Sequence, residues 1–375
     1  MIKTGSDFSG VGAFDQALKK LGINYQTIYA CDWDKYSRQT YIENYGEPKY
    51  FPKDVYEREI PKESLDLYMT SPPCQAFSLA GKRKGEDDER GVLFYNSHEF
   101  IQKNNPRYFI FENVRGLLSD ADGLTFKVWL DMLGGKSVNG NPVLFPNENS
   151  TPYHIYWQVL NAKHYGVPQN RERVFIIGIR DDADNMFRFP KTQHLTKNLK
   201  DVLEDSVDDK YFLSEKAING VINTNNKRVN QNYNKHKNTI EKGDFMDSYN
   251  QTIHKEITPT ITSRITGSNN YHIFEGKDED VFILGYTRDA KGKVIKRNKL
   301  NYSNTIHTAT GGGGNTDQFA SVNNKIRRLT PRECFRLMDF PETFKWSVSD
   351  TQAYKQAGNS IVVNVLAEII NKLKL

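Results

Sequence analysis

Short apolar runs alternate with amphipathic segments through the first half of the chain. "IKTGSDF", "TIYACDW", "SLDLYMT", "RYFIFENV", "IYWQVLNA" and "RVFIIGIR" have the length and the β-branched and aromatic content of strands. "GAFDQALKKLG" and "KYSRQTYIENYG" follow the first two with helix-like spacing. Strand, helix, strand repetition predicts the α/β class, a doubly wound sheet whose ligands gather beyond the carboxyl ends of its strands.

From Phe189 to Lys325 the pattern changes to Asn, Thr, Lys, Gly and Tyr with many turn signals. Interleaved "YHIFEG" and "DVFILGY" favour a folded, β-rich second module over disorder. Within it "ITPTITSRITGSNN" and "SNTIHTATGGGGN" are loosely alike, each a Thr/Ile strand running into a small-residue loop. Regular patterning then returns. "LTPRECFRLMDF" places Thr330 as a helix cap, Pro331 in the first turn and Glu333 three after the cap. "SIVVNVLAEIINKLK" reads as an amphipathic closing helix. The expected organisation is a first domain at 1–188, an inserted module at 189–325, and a segment at 326–375 that completes the first domain.

Composition narrows the options. At 375 residues the chain is long enough for two domains, and its formal net charge of +5 is compatible with a polyanionic partner without requiring one. The start "MIKTGSDFSG" lacks a secretory pattern and no apolar run approaches a membrane span, so a cytoplasmic protein with no membrane partner is expected. Cys31, Cys74 and Cys334 are odd in number and far apart, and the eight histidines are scattered. Neither a disulfide framework nor a metal site is expected.

Two strand ends suggest a small-molecule site. "DFSGVGAF" closes the first strand and opens a helix, with Gly10 and Gly12 allowing close backbone approach to a ligand. The third glycine of a dinucleotide fingerprint is missing, since Asp15 stands there. The second strand ends in "ACDWD". Asp32 could take ribose hydroxyls and Trp33 could stack on adenine, or Trp33 could be core and Asp32 a helix cap. One ribose and one adenine without a second nucleotide fit S-adenosylmethionine.

Three further signals fall at strand edges. Cys74 follows "LDLYMT" behind two prolines and precedes Gly81, Lys82, Arg83, Lys84 and Gly85, a cationic surrounding that favours a thiolate. A lone cysteine is more often structural. "FENV" delivers Glu112 and Asn113 to the same edge, and "QNRERVF" sets Arg171 and Arg173 two apart, expected on one side of a strand. A helix-capping glutamate and surface arginines are the plainer readings of each signal taken alone.

Together the motifs resemble the DNA cytosine-5 methyltransferases of bacterial and phage modification systems. The resemblance covers nearly the whole chain in the family's order, from "DFSGVGAF", Asp32-Trp33 and Asp54-Val55 through "PPCQAFSLAGKRKG", "RGVLF", "FENVRG" and "QNRERVF" to "RRLTPRECFRLMDFP" and "QAYKQAGNSIVVNV". It implies a Rossmann-like S-adenosylmethionine-dependent catalytic sheet with an inserted target-recognition domain. It implies that Cys74 adds to C6 of a cytosine flipped out of duplex DNA, that Glu112 holds N3 and the amino group, and that Arg173 with Arg171 holds the base or its phosphate. By the same resemblance the cofactor would touch Phe8, Gly10, Gly12, Asp32, Trp33, Asp54, Val55, Pro73, Leu93, Asn359 and Ser360. Gln75, Ser78, Lys82 and Arg90 would close on DNA, and Thr305, Ile306, Gly311, Gly312 and Gly313 would lie at the DNA from the recognition module. The implied partner is double-stranded DNA, met by a monomer, with any restriction endonuclease acting separately.

Departures from the family pattern are Ser9 and Ala13 in the glycine turn and a long connection at Gly134 to Ser150. Three rivals are separable. An amino-methyltransferase is suggested by "SPP" but would have an aromatic where Cys74 stands. A tRNA-cytosine enzyme of the same branch has a smaller recognition region. A non-catalytic DNA-binding regulator would have lost the cysteine, glutamate and arginines.

Overall fold

The computed structural model describes residues 1–73, 93–212, 214 and 325–375, with side chains in the last stretch from 327, and the backbone of short strands between 244 and 322. By packing the chain divides into two compact units: 1–160, 172–191 and 365–375 in one, and 161–171 with 192–364 in the other.

The first unit is built on β1 (Ile2–Asp7), β2 (Tyr25–Cys31), β3 (Leu67–Thr70), β4 (Tyr108–Val114), β5 (Ser137–Val138), β6 (Asn141–Pro142), β7 (Tyr153–Asn161) and β9 (Glu172–Arg180). They form one eight-stranded sheet in the order β2-β1-β3-β4-β9-β7-β5-β6. β1 pairs in parallel with β2 on one side and β3 on the other, so the strand order reverses at β1. That reversal opens a crevice beyond the strand ends, and the glycine turn falls in it. β9 runs antiparallel to β4.

Helices α1 (Ala13–Lys20), α2 (Lys35–Tyr45), α3 (Leu93–Asn104) and α4 (Leu124–Leu133) connect these strands. Asp34 caps α2, accepting from the amides of Tyr36 and Ser37. The core is aromatic: Phe94 stacks on Trp129 at 4.3 Å and Tyr68 on Phe100 at 4.2 Å. Every residue of β3 is buried, as are all but the last of β4, which explains why these runs lack a polar alternation.

The long connection at 134–150 extends this sheet. β5 and β6 form a hairpin whose two central residues, Asn139 and Gly140, have φ of 49° and 80°, as its tight turn demands. β5 pairs in parallel with β7, and Pro142 sits on the edge strand, where a missing NH costs no ladder bond.

The second unit carries β8 (Gln169–Asn170) and β10 to β16 at Asp244–Asp247, Thr252–Lys255, Thr258–Ser263, Tyr271–Phe274, Thr305–His307, Gln318–Val322 and Lys325–Arg328. They make a five-stranded sheet and a three-stranded one. The two similar Thr/Ile segments are neighbours: β12 and β14 pair in parallel, Thr260 with Thr305 and Thr262 with Ile306. Both chains therefore leave the pair at the same end.

Helix α5 (Pro331–Arg336) begins with the expected capping box, and α6 (Asp350–Asn359) and α7 (Val363–Ile370) follow. Glu333 accepts from the Thr330 amide, the Glu204 amide and both terminal nitrogens of Arg327, with the Glu333 and Arg327 side chains fully buried. The closing helix is amphipathic as expected: from Val363 to Ile370 the partly exposed residues are Asn364 and Glu368, one turn apart on the same face, and the others are buried. Its chain passes from the second unit into the first at residue 365.

Candidate active site

The glycine turn leaves the β1 end with three consecutive constraints. Phe8 has φ 54°, a region bulky side chains rarely enter, and Gly10 and Gly12 have φ 55° and 82°. A Cβ on Gly12 would lie 2.2 Å from a ring carbon of Tyr45, whereas one on Gly10 would meet nothing within 4 Å. Gly12 thus fits its own helix partner, and Gly10 faces open space, as a backbone cradle for a ligand does.

The turn is pinned to the end of β2. The Ser9 amide donates to the Cys31 carbonyl at 3.0 Å and the Gly10 amide to Asp32 Oδ2 at 2.7 Å. Asp32 Oδ1 accepts from the Asp34 amide. Asp34, not Asp32, caps the helix, and Trp33 is 85 % exposed. Both plainer readings of that pair therefore fail: a flat ring stands in solvent beside a fixed carboxyl. Burial pushes the Asp32 carboxyl up to about 6, against the lowering effect of its two amide donors.

Arg38 braces the neighbouring loop by donating to the carbonyls of Phe51 and Pro52. Beyond it Asp54 is exposed and accepts from the Tyr56 amide, while Val55 is buried in the core. Leu93 opens α3 half-buried, and Pro73 is exposed at the end of the segment that follows β3.

Across the sheet the ends of β3 and β4 are tied together, since the Asn113 amide group donates to the Pro72 carbonyl at 3.3 Å. Glu112 is almost fully buried, and Arg173 Nε lies 3.1 Å from its Oε1. Register explains the pair. Val114 is opposite Arg173 and Glu112 opposite Phe175, so the two side chains lie diagonally on one face. Arg173 also donates to the Glu172 carbonyl.

Arg171 behaves differently from the expected pairing. It precedes β9, which starts at Glu172, so strand alternation does not govern it. Its buried guanidinium donates to the carbonyls of Gly358 and Ser360, at 3.2 and 2.7 Å. This fixes the end of α6, where Asn359 is exposed and Ser360 buried.

Cys74, Gln75, Ser78, Lys82, Arg90, Gly311, Gly312 and Gly313 lie outside the described residues, and Thr305 and Ile306 are described only as the β14 backbone. The other two cysteines are buried, and burial pushes their thiols up, Cys31 to about 12. Neither is a thiolate near neutrality. Among the described residues no group of His, Cys, Asp and Glu could hold a metal ion.

Sequence reasoning passed over Asp34, whose place directly before a helix is a cap signal. It also passed over Arg58. That guanidinium is fully buried, with Nη1 3.1 Å from Asp7 Oδ2 and Nη2 donating to the Asn96 carbonyl at 2.6 Å.

The sheet order, the reversal at β1 and the cradle beyond it define a Rossmann-like methyltransferase fold. Comparison with known proteins agrees. Across residues 2–375 the chain matches the family model "C-5 cytosine-specific DNA methylase", and it belongs to that family. It is accordingly a DNA (cytosine-5)-methyltransferase, with DNA as substrate and a need for a methyl donor.

Among its relatives are the type II methyltransferase M.HhaI of Haemophilus parahaemolyticus, 31% identical over 96% of this chain and 91% of the relative, and M.HpaII of Haemophilus parainfluenzae, 32% identical over 95% and 84%. The orphan methyltransferase M.SPRI of Bacillus phage SPR is 30% identical over 99% and 97%. Solved structures share the fold at lower identity. Dnmt2 of S. pombe has a TM-score of 0.57 at 17% identity, covering 100% of this chain and 98% of that one. A putative prophage-encoded DNA modification methyltransferase from E. coli has 0.58 at 18%, covering 100% of both. Among the described residues no helix is long and apolar enough to cross a membrane.

Proposed function

We propose that this enzyme transfers the methyl group of S-adenosylmethionine to C5 of a cytosine flipped out of a specific duplex sequence, through a covalent bond between Cys74 and C6. The observation that carries the reading is the buried Glu112–Arg173 pair on the face of β4 and β9, beside the strand end that leads through Pro72 and Pro73 into Cys74.

Ring C5 of cytosine is a weak nucleophile, so it needs prior addition at C6. The Cys74 thiolate forms the C6–S bond. The displaced ring electrons reach N3, where Glu112, which takes up a proton from water as the base enters, gives that proton to the ring, so no negative charge accumulates on the base. Arg173 holds the Glu112 carboxyl in place and offers its remaining donors to the base or its phosphate. Arg171 acts through the end of α6 that it fixes. After methylation the C5 proton passes to water, the C6–S bond breaks with Cys74 leaving as the thiolate, and the N3 proton returns to Glu112.

The Gly10 cradle, the fixed Asp32 carboxyl and the exposed Trp33 ring suit one nucleoside with a charged tail, and when bound S-adenosylmethionine supplies an electrophilic methyl group at that crevice. Asp32 accepts the ribose hydroxyls and Trp33 covers the adenine, with Phe8, Gly12, Asp54, Val55, Pro73 and Leu93 around them. Gln75, Ser78, Lys82 and Arg90 close on the DNA, and Thr305, Ile306 and Gly311 to Gly313 meet it from the recognition module at 189–325. The closing residues 365–375 return the chain to the catalytic unit. The enzyme acts as a monomer in the cytoplasm, apart from any endonuclease.

Methyl transfer from labelled S-adenosylmethionine to duplex DNA tests this. 5-Methylcytosine should be the product, and Cys74→Ser should abolish it. N4-methylcytosine, or label transferred to tRNA in preference to duplex DNA, would overturn the reading.

A further inference from the structure

One buried guanidinium touches most of the segments around the proposed cofactor crevice. Arg58 lies four residues beyond Asp54, on the loop that follows it. Its Nη1 approaches Asp7, the residue directly before the strained Phe8 turn. Its Nη2 donates to the Asn96 carbonyl in the first turn of α3, which Leu93 opens. Asp7 in turn accepts from Tyr29 on β2, two residues before Cys31, and from Tyr68 on β3, both at 2.6 Å. Phe100 completes the cluster, with Arg58 5.4 Å over its ring and Tyr68 stacked on it.

Nothing in this cluster reaches solvent: the Arg58 and Asp7 side chains are 1% and 0% exposed. A buried ion pair is a poor source of stability, because desolvation offsets its attraction, so its retention calls for another account. Here the position of the guanidinium supplies one. Its Nη1 faces the Asp7 carboxyl as an ion pair, with no hydrogen bond among the described residues, while Nη2 makes a directed bond to the Asn96 carbonyl, a division of roles between two nitrogens that an apolar residue cannot provide. A strained residue such as Phe8 persists only where its surroundings fix it.

We infer that Arg58 is a positioning residue for the cofactor: through Asp7 and the Asn96 carbonyl it holds the glycine turn, the Asp54 loop and the start of α3 in mutual register. The inference rests on the proposed cofactor reading of that crevice. It makes Arg58 a determinant of S-adenosylmethionine affinity without contact to the ligand.

Arg58→Lys keeps the charge opposite Asp7 but loses the second terminal nitrogen that bonds the Asn96 carbonyl. Its melting temperature should stay near wild type, while the KM for S-adenosylmethionine rises about tenfold, with the KM for DNA and kcat at saturating cofactor within twofold of wild type. Arg58→Met alone leaves Asp7 buried without its counter-charge and can fail to fold. The double variant Asp7→Asn with Arg58→Met leaves no such charge and should fold, yet keep the raised KM. Calorimetric titration of S-adenosylhomocysteine into each protein reads the same effect as affinity. If the lysine and double variants fold and bind S-adenosylhomocysteine within twofold of wild type while wild type binds it well, the inference is wrong. If wild type does not bind it at all, the cofactor reading fails and the inference fails with it.

Discussion

Replacing Glu112 by glutamine isolates its chemistry from its packing. Glu112 Oε1 sits 3.1 Å from Arg173 Nε, with side chains 9% and 15% exposed. Glutamine retains an oxygen at that place, so the guanidinium keeps an acceptor and the strand register is untouched. The charge is lost, but so is the cost of desolvating it, and stability should change by no more than about 1 kcal/mol. The melting temperature should therefore move by less than about 4 °C. The amide cannot deliver a proton to N3. Loss of a positioned general acid lowers kcat by roughly 10²- to 10⁴-fold, or about 3 to 5 kcal/mol of transition-state stabilisation. Glu112→Ala should combine that loss with destabilisation of about 3 kcal/mol, because it strands a largely buried guanidinium. Steady-state methyl transfer to a saturating duplex, read beside thermal unfolding, separates the two. A glutamine variant that turns over within threefold of wild type would refute the role assigned to Glu112.

Three further outcomes follow from the geometry. The Asp32 carboxyl, pushed up to about 6 in the folded protein from an ordinary 3.8, binds protons more readily folded than unfolded, so it opposes folding by about 3 kcal/mol above pH 6, and that opposition is relieved as pH falls towards 4. Only the ionised form accepts two ribose hydroxyls, so cofactor affinity should fall as pH drops through about 6, whereas Asp32→Asn should bind weakly with a flat profile by calorimetry between pH 5 and 8. Gly12→Ala combines a φ of 82° with a Cβ 2.2 Å from Tyr45, and should cost roughly 2–4 kcal/mol in denaturant unfolding, partly restored by Tyr45→Ala. Arg327→Met strands the buried Glu333 carboxylate and should cost roughly 3–5 kcal/mol, whereas Arg327→Met with Glu333→Gln should recover most of it.

Local chemistry made much of the fold readable. Strands β1 to β4, β7 and β9 and the first two helices stand where short apolar runs and helical spacing put them, and Thr330, Pro331 and Glu333 form the expected cap because the signal is contained in four residues. The closing helix was equally legible, because Asn364 and Glu368 fall four apart among apolar residues and form its outer face. What escaped depends on distance in sequence. Asp7 and Arg58 meet across 50 intervening positions and one strand, and neither residue alone suggests burial. The hairpin at Ser137 to Pro142 is too short for a periodic signal and shows itself only through the Asn-Gly turn. Arg171 and Arg173 were read as strand neighbours because spacing of two suggests one face, but β9 begins between them. Trp33 and Asp32 are ambiguous in sequence because a tryptophan is as ready to pack as to stack, and only its exposure rules out the core.

The covalent step at Cys74 is the centre of the mechanism, and trapping it is the most direct test. A duplex carrying the recognised sequence with 5-fluorocytosine at the target position has no C5 proton to lose, so after methyl transfer the C6–S bond cannot break. With S-adenosylmethionine present, the wild-type enzyme should accumulate a denaturation-resistant adduct, and mass spectrometry of its peptides should place the methylated fluorocytosine on Cys74. Cys74→Ser should give none. An adduct that forms equally in the serine variant, or that maps to Cys31 or Cys334, would contradict the account.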